Sequence, residues 1–298
     1  MNIKLTDNLQ LTRSYDIRTD TAIDLNGYKI TADLAGPLFT VEEHMLLIVN
    51  SGDANGGITN RGIIGIAQNR GHILIDSGEY VSLKQQPFRA EVDGSVTVNG
   101  GTLTGQEGAV ISREGHGRIV INGGNLTGLD NFAVATNGTS GWGGNYIEIN
   151  DGHLEGNITS PGYEAIGVYI ANDDTFIMNG GEIVANGGTG LCMRAGTVII
   201  NGGSITATNV AKDGHIVADG KIGDDNTVME GCSGVIYHES ANYPGKEGMN
   251  LIITGGTITG VDHSIQVLSN EVEPQVRVEG GEQIPPYLPP DQNGTEGE

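Results

Sequence analysis

Between residues 24 and 284 the chain alternates apolar and polar positions in short bursts, each broken by a polar corner. The clearest copies are TVNGGTLTG (97–105), VINGGNLTG (120–128), EINDGHLEG (148–156), IMNGGEIVANG (177–187), IINGGSITAT (199–208) and IITGGTITG (252–260). Weaker copies flank them: DLNGYKIT (24–31), IVNSGD (48–53), LIDSGEYVS (74–82) and RVEGGEQI (277–284). Each reads apolar-x-apolar, a turn, then x-apolar-x-Gly. Alternation with period two marks a strand with one buried face. In 97–105 it predicts Val96, Val98 and Leu103 inward, and Thr97, Thr102 and Thr104 outward. The Asn-Gly-Gly step supplies a corner, because Gly takes φ > 0 at no steric cost and Asn tolerates the left-handed region.

The turns fall at Asn26, Asn50, Asp76, Asn99, Asn122, Asn150, Asn179, Asn201, Thr254 and Glu279. Their spacing stays between 22 and 29 residues except for one interval of 53, which reads as two periods with one coil lacking its signature. Two short strands about a corner cannot bury their apolar face alone. Stacking each coil on the next at about 4.8 Å pairs the backbone and extends the core. The spacing therefore predicts an all-β parallel β-solenoid of ten or eleven coils, about 50 Å long at that rise. An antiparallel sandwich of Asn-Gly hairpins would need turns every ~8–12 residues, which the spacing excludes. Amides in register on successive coils can hydrogen-bond to one another, so Asn99, Asn122, Asn150, Asn179 and Asn201 are expected to form a structural ladder.

Three regions follow. Residues 1–22, with period-two apolar positions at Ile3, Leu5, Leu9 and Leu11 but no turn, are expected to cap the N-terminal end. Residues 23–284 form the solenoid. Residues 285–298 are a Pro-rich stretch, unable to donate ladder hydrogen bonds, followed by an acidic tail. Gly-rich interruptions at 51–62, 137–146 and 209–231 read as loops, where a rigid scaffold carries its function.

Composition narrows the chemistry. Forty-nine glycines and an aromatic share of 5% fit a narrow aliphatic core with many corners. The net charge of -22, from 37 acidic and 15 basic residues, disfavours nucleic acid and anionic membrane as partners. The first twenty residues lack the apolar run of a secretory signal, and no stretch nears ~20 uninterrupted apolar residues. Cys192 and Cys232 are too few for a disulfide framework and are expected as buried thiols. The sequons at Asn125, Asn137, Asn157 and Asn293 are by-products of Asn, Gly and Thr abundance. The seven histidines show no metal spacing, and no nucleotide-binding glycine motif occurs, so no metal and no cofactor are expected.

The VNGGTLTG, INGGNLTG and INGGSITAT copies resemble the right-handed parallel β-helices of the pectate-lyase-like superfamily over roughly residues 23–284. The resemblance implies a single-stranded, right-handed β-helix. It also points to the Gly-rich type found in phage virion proteins and bacterial surface proteins. Enzymes of this fold set the comparison for catalysis. Asp173–Asp174 and Asp224–Asp225 are adjacent pairs whose members point to opposite faces of a strand, so neither is a ready dyad. Glu114-Gly-His116-Gly-Arg118 resembles the Gly-His-Gly element of polygalacturonases, but it precedes both Asp pairs, and no Asn-Thr-Asp or Arg-Ile-Lys occurs.

The expectation is thus a non-enzymatic structural or adhesive protein with no catalytic residues, assembled in a phage particle as a decoration, head fibre or tail-associated component. It would be made in the host cytoplasm and would associate with itself, a homotrimer included, or with other virion proteins. Candidate binding residues lie on loops: Trp142, Tyr146 and Tyr163 as a stacking surface for a glycan, and Asp224 and Asp225. The other readings are a carbohydrate-active β-helix enzyme, such as a tailspike-like depolymerase or polysaccharide lyase, and a bacterial surface adhesin or glycan-binding module.

Overall fold

The computed structural model describes residues 1–52, 56–62, 65–157, 165–208, 233–239, 243–269 and 273–289. Tyr163, Asp224, Asp225, Cys232 and Asn293 lie outside the described residues. The chain winds as a parallel β-solenoid of the right-handed type. Sheet A has eleven strands, from Asn2–Lys4 to Val276–Val278, and sheet B eleven, from Leu9–Leu11 to Glu282–Ile284. Sheet C has ten, from Tyr15–Ile17 to His263–Leu268. Every strand pairs with the strand three places on, giving ten complete turns and two strands of an eleventh.

The repeat maps onto two of the three sides. Its apolar-x-apolar half becomes sheet A, its x-apolar-x-Gly half becomes sheet B, and sheet C is built from the irregular sequence between copies. In sheet A the column Ile75, Val98, Ile121, Ile149, Met178 and Ile200 stacks in register inside the rod. In sheet B the matching column is Tyr80, Leu103, Leu126, Leu154, Ile183 and Ile205. Val96, Val98 and Leu103 are buried, and Thr97, Thr102 and Thr104 sit half-buried on the outside.

The corner differs from expectation in one respect. The left-handed residue is the second glycine, as at Gly124 (φ 93°), whereas Asn26 (φ 50°) is the one turn asparagine with positive φ. The first glycine is required for another reason. A Cβ on Gly123 would stand 2.8 Å from the carbonyl oxygen of Asn99 one turn earlier. With the glycines carrying the backbone strain, each asparagine directs its amide along the stack. Asn99 Nδ2 donates to Asp76 Oδ1 at 2.7 Å, Asn122 to Asn99 at 2.9 Å and Asn150 to Asn122 at 2.9 Å. Asn179 continues to Asn150 at 2.8 Å and Asn201 to Asn179 at 2.9 Å, and the Thr254 hydroxyl donates to Asn201 at 2.9 Å.

Two sequence expectations are corrected. Residues 1–22 are not a separate cap, because three of their segments pair in register with the next turn and form the first turn itself. The 53-residue interval holds no lost coil, since Thr197–Ile200 pairs directly with Asn250–Ile253 and Ser204–Thr208 with Thr257–Thr259. It is one turn carrying a long insertion. At the far end, Tyr287 of the Pro-rich segment packs against the core.

Replacing Asn150 by Ala removes one donor and one acceptor from the exposed ladder, and should lower stability by about 1 kcal/mol. Gly124→Ala combines a left-handed φ with a Cβ 2.8 Å from Gly101 O, and should cost about 2 kcal/mol or more. Urea unfolding of both variants checks the order. Equal losses would assign the corner to the amides instead of the backbone.

Candidate functional site

Sheets A and B expose alternate residues along most of their length, and sheet C does not. Its strands Phe88–Glu91, Gly188–Met193 and Ser233–His238 are buried on both faces. Tyr243, in the segment that follows Ser233–His238, lies against the outer face of sheet C. On sheet C lies a small second core of Ile166, Cys192 and Ile236, flanked by Phe132, Tyr169 and Leu268. The Tyr169 hydroxyl donates to that of Tyr243 at 3.0 Å, and Arg194 stacks 5.0 Å above the Tyr243 ring. Burial holds the Tyr169 phenol well above its ordinary pKa. These contacts fasten Tyr243 to sheet C.

Toward the N-terminal end, the outer side of Phe39–Val41 and Ala67–Asn69 borders two cavities. A cavity of about 310 Å³ is lined by Asp16, Arg18, Thr40, Glu42, Glu43 and His44. Another of about 140 Å³, lined by Thr40, Glu42, Gln68, Arg70 and Glu91, shares Thr40 and Glu42 with it. Together they make one polar groove running along the rod. Residues two apart on a strand share a face, and the groove's charged groups arise that way. Arg89 and Glu91 lie together on Phe88–Glu91, and Gln68 and Arg70 on the turn before.

The groups are held in closed networks. Arg89 Nη1 sits 3.3 Å from Glu91 Oε1, and Nη2 donates to Gln85 Oε1 at 3.2 Å. The Gln86 amide, with its oxygen toward Arg89, accepts from Nη2 and Nε at 2.8 Å. Gln68 donates to the other oxygen of Glu91. Burial, followed by nearby Arg113, lowers the Arg89 pKa, and Glu91 opposes both. Arg70 bridges two turns to Glu114 at 3.2 Å.

The sequence candidates are only partly brought together. Trp142 is half-buried outside the lining of both cavities, with the Arg113 guanidinium 5.9 Å from its ring centroid. Tyr146 belongs to sheet A, where Arg118 covers its ring at 4.3 Å and its hydroxyl donates to Glu148 at 3.1 Å. Each aromatic is thus occupied by its own arginine. Glu114 and His116 have left-handed φ of 67° and 54°, and shape the corner that leads from sheet C to Arg118. Arg70, Arg89, Glu91 and Arg113 were missed because they fall between copies of the repeat. The signal available was the same-face spacing of Arg89 and Glu91.

The Trp142 loop is anchored by Asn145. Its Oδ1 accepts from Ser112 Oγ at 2.7 Å and Gly117 N at 2.9 Å, and its Nδ2 donates to Trp142 O at 2.8 Å. Its backbone N and Nδ2 both donate to Asp174 Oδ1, at 2.9 and 2.7 Å. Asp174 is 2% exposed while Asp173 is exposed, so the adjacent acids do separate. Burial pushes the Asp174 carboxyl up to about 6, against hydrogen bonds from Thr136 and Asn145 that favour the anion.

A folded-state pKa above the usual 3.8 means the native state binds this proton more tightly than the unfolded chain. The resulting stabilisation is present at low pH and is lost as pH rises from about 4 through 6. Above that the ionised carboxylate costs roughly 2–3 kcal/mol. Asp174→Asn keeps an acceptor for Asn145 and removes the charge. It should be more stable than the wild type at pH 7.5 and lose that advantage at pH 4.5, as read by urea midpoints. A difference independent of pH would contradict the assignment.

Compared with family models, with curated proteins and with solved structures, the chain finds no match.

Proposed function

We propose that the chain is a non-enzymatic structural and adhesive solenoid, a component of a phage particle, that presents the groove on sheet C to an extended polar ligand such as a glycan. The observation that supports it is the pairing of the charges in and beside the groove: Arg70 with Glu114, Arg89 with Glu91, Gln85 and Gln86, and Glu91 also with Gln68. A preorganised row of donors and acceptors binds hydroxyl-rich ligands with little reorganisation. An acid or base held in such a network is poorly placed to exchange protons. The phage setting rests on the resemblance of the Gly-rich copies and on a rigid, acidic rod suited to display outside a particle.

One observation favours a second reading, a depolymerase: Asp16, Glu42, Glu43 and Glu91 line the same groove. Incubation with a panel of polysaccharides separates the two. Saturable binding by calorimetry without new reducing ends or unsaturated uronates is the expected result. Arg70→Ala should weaken that binding by about tenfold, the worth of one charge-assisted hydrogen bond. Turnover would overturn the non-enzymatic reading. Mass spectrometry of purified particles tests the setting, and recovery from bacterial envelopes alone would replace the virion with a surface adhesin.

A further inference from the structure

The outer face of sheet A carries a pattern that the groove on sheet C does not use. Its central column holds one residue from each of the eleven strands, all in register. Read along the rod it runs polar, three apolar, polar, Val120, polar, three apolar, polar. About Val120 the sequence is a palindrome in chemical character. Thr97 mirrors Glu148, Leu74 mirrors Ile177, Leu47 mirrors Ile199, Ala22 mirrors Ile252, and Asn2 mirrors Arg277. The aliphatic members remain partly exposed, although neighbours in the sheet flank each of them above and below.

The face is also electrostatically unlike the rest of the chain. Its strands carry Lys4, Asp24, Arg118, Glu148 and Arg277, which leaves them near neutral in a molecule of net charge -22. The charges are locally compensated: Lys4 with Asp24 at 3.1 Å, Arg118 with Glu148 at 3.2 Å, and Arg277 with Glu279 at 3.8 Å. A long, flat, charge-balanced stripe of Leu, Val and Ile matches a second surface of the same kind.

We infer that sheet A is a self-association face, and that two copies pack it against itself about a two-fold axis parallel to the strands, with the rods antiparallel. An isologous contact requires a self-complementary patch, and the palindrome supplies one. With the axis at Val120, apolar residues meet apolar residues at every such position and Thr97 meets Glu148. In the flanking columns Lys4 falls opposite Glu279 of the other copy. The two Arg118 meet across the axis, each paired with its own Glu148, so the centre is a neutral set of four. The alternative two-fold, parallel to the rod, would set Glu148 on Glu148 and Arg277 on Arg277. Eleven strands at about 4.8 Å by four residues at about 3.3 Å give a face of roughly 650 Å² per copy, about 1,300 Å² in all, within the range of specific interfaces. The strands of this face carry only Asp24 and Glu148 of the chain's 37 acidic residues. Repulsion between two copies is therefore screened at ordinary salt.

Sedimentation equilibrium of the full chain is expected to give twice the 31.1 kDa chain mass. Association should tighten as salt rises, since screening removes repulsion and leaves the apolar contact. Ile177→Lys places a charge in the stripe without touching the core, and should return the monomer with unchanged thermal unfolding. Cross-linking fixes the axis: chains carrying Leu74→Cys should form disulfide-linked pairs with chains carrying Ile177→Cys, and not among themselves. A wild type that stays monomeric to roughly 0.1 mM, where even weak interfaces of this size populate, would overturn the inference. So would a trimer, an oligomer indifferent to Ile177→Lys, or cross-linking of Leu74→Cys chains alone. The inference does not depend on what the groove on sheet C binds.

Discussion

The structure depends on one constraint, the in-register stacking of each turn on the one before at the spacing of a β ladder. At that spacing every residue meets its own equivalent above and below, so whatever fits once must fit repeatedly. Inside the rod this selects columns of Val, Ile and Leu. At the corner it selects two glycines for two different reasons, a left-handed φ at Gly124 and a carbonyl under Gly123. Beside them it turns an exposed asparagine, ordinarily a solvated side chain, into a link in a chain of amides. The backbone sets the corner, and the ladder uses the alignment that results.

The longest departures from strict stacking adjoin sheet C strands, and most of the unusual chemistry among the described residues is there. Insertions between turns cost little where they leave the rod, because the strands on either side still pair directly. The outer face of sheet C is buried in Phe88–Glu91, Gly188–Met193 and Ser233–His238, and it borders the groove at Phe39–Val41 and Ala67–Asn69. The buried Arg89–Glu91 pair and the Asn145–Asp174 anchor both belong to this side. Sheet A, free of insertions, keeps a flat face. The same rod therefore offers one surface shaped by loops and another shaped by repetition.

Sheets A and B were legible in the sequence because both flank the Asn-Gly-Gly corner, intact at Asn99, Asn122, Asn179 and Asn201 and degenerate at the other six. Sheet C was not, since strands such as Val110–Arg113 and Phe132–Ala135 carry no turn signal of their own. The coil count came out near the right value through two compensating misreadings. Residues 1–22 form paired strands without the corner signature, and the 53-residue interval holds one turn where its length suggests two periods. Spacing alone cannot distinguish a degenerate coil from an insertion, because only strand pairing does so. For the candidate site, Trp142 was visible by rarity, whereas its arginine partner and the groove beside it depend on which residues neighbouring turns bring together.

In-register stacking across the longest insertion offers the most direct test. Replacing residues 209–232 with a short Gly-Ser linker should leave Thr208 joined to Ser233 and the turns at Asn201 and Thr254 still stacked. Cooperative urea unfolding with a midpoint close to that of the full chain is the predicted result. Loss of the cooperative transition would show that the deleted segment supplies a turn of the core, contradicting direct pairing of Thr197–Ile200 with Asn250–Ile253.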